Sequence, residues 1–517
     1  MTLTRVQEIV VCEQPAPFLP GRVRDPREPP EVRWPAWIVL TFFCLLLFLY
    51  GIGTGDLWRA ENLRALVARE ILRSGDWIVP RLYGEPYLTK PPVMYAAIAL
   101  ASWPFGDVRP WTARLPSALA AAATVWMFYW YFARVLGRRG GLLAALVLPA
   151  APMWLDKAGV AEIDMLQVAW VTGAVLCFLR ALECAEAGGS SGGAPAWHWW
   201  LLALLCVAGG VLTKWTAPVF FYATAASLLW WRGRLRLLLT RQHLLGVALA
   251  GSIVLAWAGA VIVDVGWSTF IHTVGREALA RIMPQNYGRP YLWREVPLHP
   301  LRILAITLPW SAFALLTLRS GFAARFDERG RRLLQALHCW AWPNLILWSF
   351  VAEHAPRHSF PFFPAIAGLA ALVWAAWVGG SVPWRWSRAT PTGALAVMLI
   401  SWLVVKVVFV QCVMPSRNDA RQPRARGAQL AALVPPDKQL YVLGLKDKDE
   451  GIIFHYGRPV LRLHDPQNLP LPQAKLYCLL DEYEWKEWPA SWPAAEIVSR
   501  LADELGSTLV LVRLTID

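Results

Sequence analysis

Glu61, Lys90, Asp164, Lys214, Arg357 and His358 each stand at the border of a long apolar run. Acids and cations gathered at such borders suit an anionic substrate, and a partly desolvated carboxylate is a functional candidate in its own right. Asp164 is the sharpest case. In DKAGVAEIDML it follows Asp156, Lys157 and Glu162 and runs straight into an apolar segment. Each position also has a bland reading. Asp164 could cap the helix that follows it, accepting backbone N–H groups and favouring the dipole. Glu61 could form an exposed ion pair with Arg64, three residues on, worth little energetically. Lys90 and Lys214 could snorkel to an interface, and Arg357 and His358 could contact headgroups. What weighs against six separate bland readings is that all six residues are expected on one face of a membrane.

The elements that position these residues follow from the pattern of the chain. Leu63, Leu66, Val67 and Ile71 recur at helical spacing, with Glu61 and Arg64 opposite, which predicts an amphipathic surface helix over about 58–73. Ser74-Gly75-Asp76 ends it, Arg81 to Glu85 makes a turn, and Lys90-Pro91-Pro92 opens a new element because Pro is tolerated only in the first turn.

Over 517 residues the chain is 56% hydrophobic and 17% charged, with mean hydropathy +0.39. That is a mainly α, polytopic membrane protein and not a soluble enzyme. The 31 Trp suit membrane interfaces. Candidate spans fall at about 36–54, 111–135, 140–155, 164–182, 197–213, 216–232, 244–264, 300–318, 333–352, 360–379 and 392–414, about eleven in all. Residues 1–35 read as a cytoplasmic tail, and 36–414 as the transmembrane domain. Threaded from an inside N-terminus, Arg138, Arg139, the 232–243 loop, the 319–332 loop, Arg385 and Arg388 are cytoplasmic, as the positive-inside rule requires. The first outer loop, 55–110, and the loop at 265–299 are rich in Arg without topological need, which suits an anionic substrate or anionic headgroups. A net charge of +14 is thereby explained without nucleic acid.

Residues 415–517 change to the composition of a small soluble α/β domain. Strands are expected at 438–445, 452–456, 474–480 and 508–514, and a helix at 495–505. No glycine-rich phosphate loop occurs there. GGSSGGAP at 188–195 reads as a flexible connector, and the eight Cys, without CxxC pairing, read as small buried hydrophobes.

GDWIVPRLYGEPYLTKPPVMYA, ARLPSALAA at 113–121, GRRGGLLAALVL at 137–148, AEIDML at 161–166, LTKWTAP at 212–218, LPWSAF at 308–313 and RHSFPFFPAIAGLAA at 357–371 together resemble the bacterial C-type membrane glycosyltransferases, the family of the lipid A aminoarabinose transferase and the protein O-mannosyltransferases. The resemblance covers about 36–380. It implies a glycosyltransferase of the bacterial inner membrane, with its C-terminal domain on the outer face, using a polyprenyl-phosphate sugar and a lipid, glycan or protein acceptor. It implies catalytic carboxylates at Glu61 and Asp164, and substrate binding by Lys90, Arg64, Tyr87, Lys214, Arg357 and His358. Two positions depart from the family. Ala60 stands where the first acid of a pair is usual, leaving Glu61 alone or Asp56 from a shifted backbone. Thr89 replaces a metal-contacting glutamate, so that no cofactor is assigned, with a divalent metal left as the alternative and His272 on offer as another ligand. A non-catalytic binder of lipid-linked sugar and a polytopic transporter are the alternatives. A transporter should carry its ionisable groups near mid-span along a path.

Overall fold

The computed structural model describes residues 35–515 except 188–192, 283–290, 353, 384–389, 444–449, 465–474, 490–491 and 504–505. The expected tail over 1–34, the first residues of the 188–195 connector, and Arg385 and Arg388 lie outside the described residues.

The chain is mostly helical. Five described helices are long and apolar enough to cross a membrane, and a pair bent by 105°, Glu295–Ile306 with Trp310–Leu316, makes up to six. Ala36–Leu49, Val93–Phe105, Trp197–Val211 and Ala217–Trp231 are shorter apolar helices. Pro356–Val378 is the central post, with 94% of the residues in its 18-residue apolar window buried, whereas Arg241–Val265, at 17%, lies at the periphery. Pro110–Val147 is broken at Gly137, which has φ 75°. The span expected over 140–155 stops at Val147, and a short helix, Pro152–Ala158, follows. Pro149 and Pro152 cannot donate to a continuing helix, so the backbone turns there.

The surface helix forms as Ala60–Ser74, and Gly75 ends it in the left-handed conformation, its N–H donating to the Ile71 carbonyl at 2.9 Å. It is packed on more sides than an amphipathic surface helix would be. Leu63, Ala65, Val67, Ala68 and Ile71 share one core with Tyr95 and Ile98 of the next helix, Ala161 and Ile163, and Leu430, Ile452, Phe454 and Leu509 from the C-terminal part.

That C-terminal part contains a five-stranded sheet in the order Val460–Leu463, Leu440–Leu443, Lys475–Asp481, Thr508–Thr515, Ala495–Ala502, parallel across the first three strands and antiparallel across the last two. Two sequence expectations are corrected. Residues 452–456 lie in a helix, Glu450–Tyr456, because their apolar side chains are buried on all sides, and such a run has no period that separates strand from helix. The helix expected at 495–505 is an edge strand, Ala495–Ala502. Pairing with Thr508–Thr515 through a turn in which the Asp503 carboxylate accepts the Ser507 N–H outweighs helix propensity.

Polar clamps hold the C-terminal part to the surface helix. Arg69, 5% exposed, forks onto Asp107 at 2.6 and 3.0 Å, donates to the Phe454 carbonyl at 2.6 Å and lies 4.0 Å over the Phe454 ring. Arg73 donates to the Gly457 carbonyl and the Arg462 N–H to the Tyr83 carbonyl. Asp56 pairs with Arg424 at 2.7 Å and sits 3.7 Å from His455. Burial lowers the His455 pKa to about 4, against the opposing pull of Asp56.

Arg69→Ala should weaken this docking by about 3 kcal/mol, read as faster limited proteolysis of the C-terminal part while the membrane helices stay protected. His455 is neutral when folded and gains a proton more readily when unfolded. Its contribution is therefore complete above pH 6.5 and is lost as pH falls toward about 4. His455→Gln should flatten the pH dependence of the same proteolysis across that window.

Candidate functional site

The site begins with a strained turn. Arg59 takes φ 51° immediately before the surface helix, and this lets the Trp58 N–H point back to Glu61 Oε2 at 2.9 Å. Glu61 is not the exposed partner of Arg64. It is 2% exposed and receives Arg114 Nε on Oε1 at 2.9 Å, Arg114 Nη2 on Oε2 at 3.1 Å and the Ala161 N–H on Oε1 at 2.8 Å. Two donors on each oxygen fill a carboxylate. Arg64 instead donates to the Ala60 carbonyl at 2.7 Å. Asp56 is turned toward Arg424 and His455, away from this carboxylate's task.

Through Ala161, Glu61 holds the loop that carries the second acid. Asp164, in the first turn of Ile163–Ala187, accepts from Lys214 Nζ on Oδ1 at 2.8 Å, with both side chains buried. Asp164 is thus a charge partner and not the backbone cap of the bland reading. Lys214 is likewise no snorkelling lysine, because an opposite charge meets it inside. Oδ2 of Asp164 carries no hydrogen bond among the described residues. Lys157 and Arg357 add positive charge around Asp164. Arg357 itself is exposed, and the neighbouring His358 is buried. Lys157 pairs with Glu162 at 2.8 Å and Asp156 at 3.1 Å. Burial opposes its charge, but these acids prevail and hold its pKa above the ordinary lysine value.

Lys90 lies in a second neighbourhood. It donates to Glu277 at 2.6 Å and to the Thr89 carbonyl at 2.9 Å. The Thr89 hydroxyl is buried without a partner among the described residues. Tyr87 meets Tyr95 edge-on at 6.2 Å, and Tyr95 lies near enough to Arg64 and Glu277 to feel both charges. Pro91 and Pro92 precede the helix Val93–Ser102, as the sequence predicts. The Val93 N–H donates to the Leu212 carbonyl at 3.1 Å, which ties the Lys90 segment to the turn holding Lys214. His272 is exposed, and among the described residues no three His, Cys, Asp or Glu side chains gather as a metal set.

The sequence reading missed Arg114 and Glu277. Arg114 was visible as a cation inside the apolar ARLPSALAA, where an unpaired charge is untenable. Glu277, on the helix Trp267–Ile282, carries no such signal.

Residues 89–258 match the family described as dolichyl-phosphate-mannose-protein mannosyltransferase. The undecaprenyl phosphate-alpha-4-amino-4-deoxy-L-arabinose arabinosyl transferase of Edwardsiella ictaluri is 27% identical over 352 residues, 65% of this chain and 58% of its own length. The enzyme of that name from Pectobacterium carotovorum is 27% identical over 367 residues, 67% of this chain and 59% of its own. The crystal structure of ArnT from Cupriavidus metallidurans bound to undecaprenyl phosphate superposes with TM-score 0.69 at 18% identity, covering 92% of this chain and 98% of that one. The chain is similar in sequence to the aminoarabinose transferases and shares the fold of ArnT. It spans 58–59% of the length of these curated relatives. The archaeal oligosaccharyltransferase AglB from Archaeoglobus fulgidus shares the fold more distantly, with TM-score 0.52 at 13% identity over 86% of this chain and 69% of that one.

Asp164 and Lys214 depend on one another. Lys214→Met should strand a buried carboxylate and destabilise the protein by about 3 kcal/mol, and adding Asp164→Leu should restore most of the loss. Thermal unfolding in detergent reads both.

Proposed function

We propose that this chain is an integral membrane glycosyltransferase, moving a sugar from a polyprenyl-phosphate donor to a lipid, glycan or protein acceptor at the outer face of a bacterial inner membrane. The observation that carries this reading is the buried Asp164–Lys214 pair ringed by Lys157 and Arg357. The fold, shared with a protein captured on undecaprenyl phosphate, supports it. About eleven spans, a cytoplasmic tail at 1–35, a membrane domain at 36–414, a catalytic outer loop at 55–110 and an outer α/β domain at 415–517 go with it. Charge asymmetry between the loops and the short apolar helices beside the long ones support that topology.

The chemistry is a single displacement with inversion. An acceptor oxygen attacks the anomeric carbon, the bond from that carbon to the phosphate oxygen breaks, and the electron pair leaves with the polyprenyl phosphate. Cations placed before reaction lower the energy of the departing anion. Lys90, Lys214 and Arg357 have that part, with Arg64, Tyr87 and His358 shaping the donor site. Asp164 is the base: Lys214 fixes one oxygen, and the other takes the acceptor proton. Glu61, with its lone pairs filled, positions the Asp164 loop through Ala161. That saturation, with Ala60 beside it, also favours a second reading, a non-catalytic receptor for lipid-linked sugar.

Labelled polyprenyl-phosphate sugars supplied to membranes with and without the protein test the proposal. Asp164→Asn should lower kcat at least ~100-fold while donor binding persists, and Lys90→Ala should chiefly weaken donor binding, by about tenfold. Full transfer in both folded variants sinks the mechanism. Tight donor binding by the unaltered protein with no acceptor labelled selects the receptor.

A further inference from the structure

Among the described residues Lys406 is a charge without a counter-charge. It lies on Pro391–Val408, a helix whose neighbouring Val404, Val405, Val407 and Val408 are all exposed, yet Lys406 itself is 7% exposed. The face it shares is packed along its length. One turn earlier, Trp402 Nε1 donates to the Pro149 carbonyl at 3.3 Å. One turn later, Val410 presses on Gly51 so closely that a Cβ there would stand 2.2 Å from its Cγ1. Between these contacts the Lys406 ammonium reaches Gly159, where a Cβ would lie 3.7 Å from Nζ. Nζ therefore lies in ordinary van der Waals reach of the Gly159 position.

Among the described residues Lys406 has no hydrogen bond and no ion pair, and the charge that acts on it is Arg114, of the same sign. Arg114 cannot turn away, since its N–H groups are committed to Glu61 and to the carbonyls of Ile52, Thr54, Gly55 and Asp56. Lys157, two residues before Gly159, is spent on Glu162 and Asp156. An ammonium buried in a membrane helix beside a second cation is strongly unfavourable unless an anion meets it. No described side chain supplies that anion.

We propose that Lys406, lying beside Gly159, is a binding site for the phosphoryl group of a membrane lipid. A compact ammonium suits a phosphate as a point charge. The surrounding valines are where acyl chains would lie, so a lipid brings anion and apolar tail together. The site does not depend on the transfer reaction.

Native mass spectrometry of the purified full chain tests it with three probes, phosphatidylglycerol, undecaprenyl phosphate and inorganic phosphate, on the unaltered protein, Lys406→Gln and Lys406→Arg. One lipid probe should bind at least ~10-fold more weakly to Lys406→Gln and be retained by Lys406→Arg. Loss of phosphatidylglycerol identifies a bilayer headgroup, and loss of undecaprenyl phosphate a polyprenyl lipid. Binding of inorganic phosphate alone, or equal binding of every probe by all three proteins, overturns the proposal. Lys406→Met supplies a second readout. In lipid-free detergent, removal of an uncompensated charge should raise Tm by roughly 2 °C or more, whereas a fall in Tm would reveal a structural partner and overturn the proposal independently.

Discussion

Arg114 is the residue on which this end of the molecule turns. It is 1% exposed, and its guanidinium gathers the carbonyls of Ile52, Thr54, Gly55 and Asp56, where the chain leaves its first apolar helix, together with both oxygens of Glu61. A planar fork of five donors can do this, and a lysine cannot. Glu61 then passes the constraint to Ala161, and so to the start of the helix bearing Asp164. Three stretches far apart in sequence are registered against one another by one buried ion pair.

The same logic runs through the site. Its charges are distributed as pairs, Glu61 with Arg114, Asp164 with Lys214, Lys157 with Glu162 and Lys90 with Glu277. Pairing lets an apolar scaffold carry ionised groups below its surface. The pairs differ in what they leave free. Glu61 has every acceptor occupied, whereas Asp164 keeps one oxygen unbonded among the described residues. That difference leaves an acceptor position open on Asp164 and none on Glu61.

Much of this was legible in the sequence where local rules decide. The surface helix, its end at Gly75 and the restart after Lys90-Pro91-Pro92 follow from periodicity, left-handed glycine and proline placement. The junction acids and cations announced themselves by standing next to apolar runs. What the sequence could not show was who partners whom. Glu61 has a plausible partner in Arg64 nearby in sequence, and its actual partner lies 53 residues away. The C-terminal strands were misread for related reasons. Residues 495–502 are a strand because Thr508–Thr515 is there to pair with them, and 452–456 are helical because every side of them is covered.

The core shared by the surface helix and the C-terminal part sets the order in which the protein can be finished. Arg69 and the Phe454 carbonyl that it binds are 385 residues apart. At ~5–20 residues per second of synthesis, the helix Ala60–Ser74 emerges roughly 20–80 s before its last packing partners exist. During that interval Leu63, Val67 and Ile71 have Tyr95, Ile98, Ala161 and Ile163 to cover them, but not Leu430, Ile452, Phe454 and Leu509. Completion of this core is therefore a late event in the life of the chain, and a nascent protein halted before residue 450 would carry the helix Ala60–Ser74 only partly covered.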